Sequence, residues 1–204
     1  MITEHDLTNS LVRSVATNAD DISRLHDRLA AAAEADGLLE VAYRTIDTPV
    51  GSLLLAATEL GLVRVAYANE DHEVVLQALA DQISPRILHS AQRLDETARE
   101  LDEYFARRRH SFDIALDWRL SKGFRSDVLH ALPGIGYGHT ASYGTVAQLA
   151  GNPKAVRAVG SACATNPLPV IVPCHRVVRS DGAMGGYLGG VEAKRLLLDL
   201  EAAA

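Results

Sequence analysis

One proline-framed run constrains this chain more than any other feature: Pro167-Leu168-Pro169-Val170-Ile171-Val172-Pro173-Cys174-His175-Arg176-Val177-Val178. The prolines fix the backbone through it. The β-branched stretch Val170 to Val172 predicts a short buried strand, which Pro173 ends. Cys174, His175 and Arg176 follow at its exit. A thiol, an imidazole and a guanidinium therefore share one rigid segment, the setting expected of a reactive cysteine. The competing reading is an inert core residue, which is what most free cysteines are. Adjacent His175, the positive potential of Arg176 and the fixed backbone favour a nucleophile. Neighbours on an extended strand point to opposite faces, so either the chain turns at Cys174 or a water bridges thiol and imidazole.

The chain has 204 residues, 48% of them hydrophobic, enough for one large or two small domains. No apolar run reaches membrane-spanning length, and the acidic start Met1-Ile2-Thr3-Glu4-His5-Asp6 is not a secretory leader. The two cysteines, Cys163 and Cys174, form neither a disulfide framework nor a metal-binding pattern. A reactive thiol needs a reducing compartment, so the expected location is the cytoplasm, with no membrane partner and no metal. Net charge is −6, but Arg119 to Arg179 carries +6 and the remainder −12. That asymmetry points to polyanion binding by the basic part.

Three segments are expected. Residues 1–36 form a helical extension, its helix at Asp20–Ala35 docking through Ile22, Leu25 and Leu29. Residues 37–118 form an α/β domain with a small antiparallel meander (strands near 39–46, 52–57 and 62–68), helices near 71–83 and 94–107, and a further strand at 111–116. Asp95, Glu96, Glu100, Asp102 and Glu103 read as the solvated face of the second of these helices. Residues 119–204 are mostly helical and carry a helix-turn-helix. Its first helix is Thr145–Ala150, capped by Thr145 or Gly144, and its second is Lys154–Ala164 with Pro153 at its first position. The second helix has small side chains on successive turns and one long reader, Arg157. That suits docking by shape in the minor groove more than base reading in the major groove, with a close helix–helix contact as the competing reading. Glycine-rich Asp181–Gly190 lacks the lysine of a nucleotide loop, and Tyr187 within it reads as a pocket wall.

The run Pro-Cys-His-Arg-Val, preceded by Asn166-Pro167 and followed by Gly186-Tyr187, resembles the O6-alkylguanine-DNA alkyltransferases, also called methylated-DNA–protein-cysteine methyltransferases. The resemblance spans about residues 40–202. It implies an α+β fold whose C-terminal, winged-helix-like domain binds double-stranded DNA as a monomer, flips out an O6-alkylguanine and takes the alkyl group irreversibly onto Cys174, without a cofactor. It implies His175 as base through a water and Glu201 as its orienter. Tyr143 would assist rotation of the nucleotide and donate to guanine, and Asn166 would brace the turn. Arg157 would fill the vacated place in the stack, with Asn152, Arg125 and Ser180 on the DNA backbone. Tyr187, Leu188 and Pro169 would line the alkyl pocket. Two departures stand out. Gly136 follows Ile135 where many relatives have proline, which predicts a more flexible loop before Tyr143. Leu188 follows Tyr187 where some relatives have a small polar residue, leaving only its backbone N–H for O6.

Three other readings compete. A lesion-binding relative without activity would lack the cysteine, which is present. A Cys-His hydrolase would need an oxyanion hole. A helix-turn-helix regulator would need a base-reading helix, and Lys154–Ala164 lacks the readers.

Overall fold

The computed structural model describes residues 19–202. Expectations for residues 1–18 lie outside the described residues. Helix α1 (Ala19–Ala35) is followed by strands β1 (Val41–Thr48), β2 (Gly51–Thr58) and β3 (Gly61–Tyr67). Then come α2 (His72–Gln82), β4 (Ile87–His89) and α3 (Asp95–Phe105). The second half holds α4 (Phe124–Ala131), β5 (Ala141–Ser142), α5 (Tyr143–Leu149), α6 (Val156–Ala164), β6 (Val177–Val178) and α7 (Gly190–Ala202). The fold is α+β, a small sheet followed by a mostly helical half.

The sheet runs β3-β2-β1-β4. The three long strands pair antiparallel, as the meander predicts, but β4 adds parallel to β1, so the sheet is mixed. β4 is only three residues long and carries no usable alternation, which is why its strand character is invisible in the sequence. Strand β2 is apolar from Leu53 to Ala57, where both of its faces are covered. Leu53, Leu55 and Ala57 enter the main core, while Leu54 and Ala56 pack with Val75 and Leu79 of α2.

Residues 111–116 form no strand. They cover the edge of β3 by an isolated bridge, with Leu62 N–H donating to Ala115 O at 2.9 Å. The apolar positions of α1 do not dock. Ile22, Leu25 and Leu29 are exposed and Ala30 is buried instead. On α3, Asp95, Glu96 and Asp102 face solvent, but Glu100 is 1% exposed. It accepts from Asp113 N at 2.9 Å and pairs with Arg109, which corrects its assignment to a solvated face.

The main core joins both halves of the chain: β2, β3 and α3 pack with α4, α5, α6, α7 and the segment 168–177. The turn from β5 into α5 is capped by Ser142, whose Oγ accepts from Thr145 N at 3.1 Å, rather than by Thr145 or Gly144. Helix α6 begins at Val156, so Pro153 lies in the preceding turn and not at a helical first position. Parallel pairing of β5 with β6 sets Ala141 opposite Val177 and Ser142 opposite Val178. This register sets Cys174-His175-Arg176, just before β6, beside the loop that precedes β5, and Tyr143, just after β5, beside the chain that leaves β6.

Candidate active site

The expected strand at Val170–Val172 is absent. The segment is a chain of tight turns, and three prolines without N–H groups explain why a ladder does not form. Val172 N–H donates to Leu168 O at 2.8 Å, and Val170 takes a left-handed φ of 72°. For a β-branched residue that conformation is strained and needs its surroundings to hold it. Pro173, at φ −80° and ψ 62°, is the centre of an inverse γ-turn in which Cys174 N–H donates to Val172 O at 2.8 Å. Cys174–Arg176 then form a single 3-10 turn. The chain therefore turns at Cys174, yet among the described residues no hydrogen bond joins the thiol directly to the imidazole.

Asn166 holds this arrangement from within. Its Oδ1 accepts from Leu168 N at 3.0 Å, and its Nδ2 donates to Val172 O at 2.9 Å and to Cys174 Sγ at 3.1 Å. Asn166 is fully buried, so each of these bonds satisfies a group that water cannot reach. The edge of β3 supports the turn from outside, with Val65 N–H donating to Pro167 O at 2.8 Å. Pro169 is buried within the turn.

His175 is fully buried, and its Nε2 donates to Glu201 Oε1 at 2.8 Å. Burial holds its pKa below the ordinary value against the pull of Glu201, so the imidazole is neutral. With the proton on Nε2, Nδ1 is a bare acceptor. Among the described residues no group hydrogen-bonds Nδ1. Glu201 collects five hydrogen bonds from four residues. Oε1 accepts from His175, from Tyr104 OH at 2.7 Å and from Arg176 Nη2 at 3.0 Å. Oε2 accepts from Arg176 Nε at 2.9 Å and Gly138 N at 3.2 Å. Burial alone would push the Glu201 carboxyl up, but hydrogen bonds from His175 and Arg176 hold it down at about 2.

Contrary to the sequence reading, Arg176 does not lend its charge to the thiol. It is buried against Glu201 and donates to Ile135 O at 2.5 Å. The positive charge near Cys174 is Lys194, which is 0% exposed and donates to Val177 O at 2.6 Å. Lys194 stands three residues before Leu197 and seven before Glu201, in phase with the inward stripe of α7, and that spacing marks it. Burial pushes the Cys174 thiol up to about 11, with Asn166 and Lys194 pulling the other way. The resting residue is thus a protonated thiol with a proton acceptor beside it in sequence.

Tyr143 stands at the start of α5 with its hydroxyl against Gly185, where an added Cβ would lie 2.9 Å from the phenol oxygen. Burial pushes its pKa up, so it keeps a proton to give. The Tyr187 ring meets His175 edge-on at 6.4 Å and shares a hydrogen bond with Tyr67 OH at 2.8 Å. Leu188 is half-buried beside it. The loop before Tyr143 is tied rather than loose: Arg176 binds Ile135 O, Glu201 binds Gly138 N, and Tyr137 OH donates to Leu200 O at 3.3 Å.

The remaining predicted residues lie outside this buried network. Asn152 is exposed in the turn between α5 and α6, Arg157 is exposed on the first turn of α6, and Ser180 is exposed in the turn after β6. Arg125 is half-buried and its guanidinium donates to Leu120 O. The exposed face of α6 consists of Val156, Arg157, Ala158, Ser161 and Ala164. Of the seven cations between 119 and 179, Arg176 is spent inside on Glu201 and Arg119 pairs with Asp117, while Lys122, Lys154, Arg157 and Arg179 are exposed. Among the described residues no helix is long and apolar enough to cross a membrane.

Residues 41–118 match the family described as "6-O-methylguanine DNA methyltransferase, ribonuclease-like domain", and residues 123–203 match "6-O-methylguanine DNA methyltransferase, DNA binding domain". The chain is 37% identical over 159 residues to a methylated-DNA–protein-cysteine methyltransferase of Methanosarcina acetivorans, covering 78% of this chain and 97% of that one. It is 39% identical over 161 residues to the protein of the same name from Mycolicibacterium paratuberculosis, covering 79% and 92%. A crystal structure of the Mycobacterium tuberculosis O6-methylguanine methyltransferase superposes with a TM-score of 0.68 at 37% identity, over 80% of this chain and 93% of that one. A crystal structure of the M. tuberculosis protein in complex with DNA gives 0.67 at 38%, over 79% and 93%.

Proposed function

The chain belongs to the 6-O-methylguanine DNA methyltransferases, and from that premise we propose that Cys174 is the residue that takes the alkyl group from O6-alkylguanine in DNA. The protein is a DNA repair methyltransferase with DNA as its partner. The observation that carries the site assignment is the buried Glu201–His175 pair, which leaves Nδ1 as a bare acceptor next to the thiol residue.

In the proposed reaction a water carries the Cys174 proton to His175 Nδ1, and the charge that forms on the imidazole is met by Glu201. The sulfur attacks the sp³ carbon as its bond to O6 breaks, and the electron pair leaves with guanine. The guanine anion takes a proton from Tyr143, which regains one from His175 through solvent, so thiol and alkylguanine become thioether and guanine. Water does not hydrolyse a thioether, so each molecule reacts once. The base must leave the stack to reach a buried sulfur. The exposed small-residue face of α6 supports close approach to the minor groove, and Arg157 would fill the gap. Asn152, Arg125 and Ser180 would hold the backbone, and Tyr187, Leu188 and Pro169 would wall the alkyl pocket. We further propose that residues 119–204 carry this chemistry, that residues 37–118 support it and residues 1–36 are an extension, and that the protein acts as a cytoplasmic monomer.

The test is intact-protein mass after mixing with duplex DNA carrying O6-methylguanine. The protein should gain one methylene, once, mapping to Cys174. Cys174→Ser should bind DNA and gain nothing. An adduct on Cys163, or more than one methyl removed per molecule, refutes the assignment.

A further inference from the structure

Strand β3 and the turn after it touch three consecutive residues of the glycine-rich loop. Tyr67 OH shares its hydrogen bond with Tyr187 OH at 2.8 Å, and the two rings meet edge-on at 5.8 Å. Asn69 Nδ2 donates to Leu188 O at 3.1 Å. Gly189 lies flat on the Tyr67 ring, where an added Cβ would come within 2.5 Å of the ring carbons. Tyr67 is itself fixed: it is 2% exposed, and its N–H donates to Glu70 Oε1 at 2.9 Å. Glu70 in turn pairs with Arg64.

Elsewhere Lys194 Nζ donates to Met184 O, and Gly190 N–H closes a turn on Tyr187 O at 3.0 Å. Gly182, Gly185 and Gly190 adopt left-handed φ values of 82°, 68° and 88°, and Gly186 and Gly189 add further freedom. Yet Tyr187 in this loop stands edge-on to His175, the residue after Cys174. An alkyl group between guanine and the sulfur meets this wall. A methyl group asks little of it, while a benzyl group needs the wall to yield. We propose that Tyr67 and Asn69 are positioning residues that clamp Tyr187–Gly189 and thereby set the upper size of the alkyl group accepted. The proposal rests on the alkyl-transfer site described above. It gives the first half of the chain a role in substrate selection.

The experiment uses the full chain, with single-turnover rates on duplexes carrying O6-methylguanine or O6-benzylguanine. Tyr67→Phe keeps the ring on Gly189 and removes only the bond to Tyr187. The benzyl-to-methyl rate ratio should rise about fivefold, the factor that loss of one buried hydrogen bond gives. Asn69→Ala, at an exposed position that the fold tolerates, should raise it about threefold for its more exposed bond. Val75→Ala, on the far face of the sheet, should lower the melting temperature and leave the ratio unchanged. A ratio that stays constant or falls in both loop-contact variants, or two rates that fall in equal proportion, overturns the clamp. A wild type that captures neither alkyl group overturns the site reading itself, and the clamp with it.

Discussion

Glu201→Gln isolates what the buried carboxylate contributes, because the amide keeps its shape and loses its charge. Glu201 is 2% exposed and is bound by His175, Tyr104, Arg176 and Gly138. If the amide oxygen takes the Oε1 place, its NH₂ faces Arg176 Nε and Gly138 N, donor against donor. Removing one partner of a buried ion pair costs about 3–5 kcal/mol. Linkage gives a second route: a carboxyl held at about 2 instead of 4.5 contributes about 3 kcal/mol at neutral pH. The sign follows from the folded pKa lying below the unfolded one. The contribution is complete above pH 4.5 and is lost as pH falls toward 2. Guanidinium denaturation at pH 7 should therefore show the variant about 3 kcal/mol less stable, and the deficit should shrink to about 1.5 kcal/mol at pH 3. The same variant should react with free O6-benzylguanine about 100-fold more slowly, since His175 loses the anion that lets it hold a proton. A deficit under about 1 kcal/mol at pH 7, or one equal at both pH values, would show that the carboxylate is not the charged hub of the site.

Arg157→Ala should slow repair of duplex DNA strongly and reaction with free O6-benzylguanine only weakly, because the free base needs no flipping. Equal losses in the two single-turnover assays refute its role in the stack. Lys194→Met removes the cation that holds the Cys174 thiol pKa down, so alkylation of Cys174 by iodoacetamide at pH 8 should slow severalfold. An unchanged rate measured by peptide mass spectrometry would dismiss Lys194 as a source of potential. Gly189→Ala drives a Cβ into the Tyr67 ring and should cost about 1–3 kcal/mol in denaturant unfolding. A neutral effect would mean that the loop does not rest on that ring.

The pieces of the site that are close in sequence were legible. Cys174 and His175 are adjacent, whereas Glu201 came from the family resemblance, the leucine periodicity showing only that its helix packs on the core. Lys194 lies on the inward stripe of that helix and was readable by the same periodicity, but a lysine among leucines passes for a surface residue until its burial is seen. Val170–Val172 misled because β propensity reports packing on a pleated surface, whereas this segment is buried among turns whose prolines cannot pair. Tyr104 and Tyr67 were out of reach for a different reason. Their partners Glu201 and Tyr187 are 97 and 120 residues away, and no local pattern encodes such a contact. The two halves of the chain meet at the site. Two phenols of the first half bond directly into the site, and one main core runs through both halves.

The two cysteines show what the surrounding network adds to a bare thiol. Both are buried, and burial pushes both up, Cys163 to about 12 and Cys174 to about 11. Lys194 pulls on each of them, so neither burial nor that charge separates the two. What separates them is hydrogen bonding and sequence position. Cys174 receives an N–H from Asn166, and its neighbour His175 holds a bare Nδ1 backed by a carboxylate. A resting thiolate would be exposed to any electrophile or oxidant, and a protein that reacts once cannot replace a spent sulfur. A protonated thiol with a neutral base nearby stays inert until a substrate brings an electrophilic carbon and a leaving group into line. For Cys174 as the acceptor proposed above, the raised thiol pKa thus suits a single use, with selectivity set by the proton path instead of by the ground-state charge of sulfur.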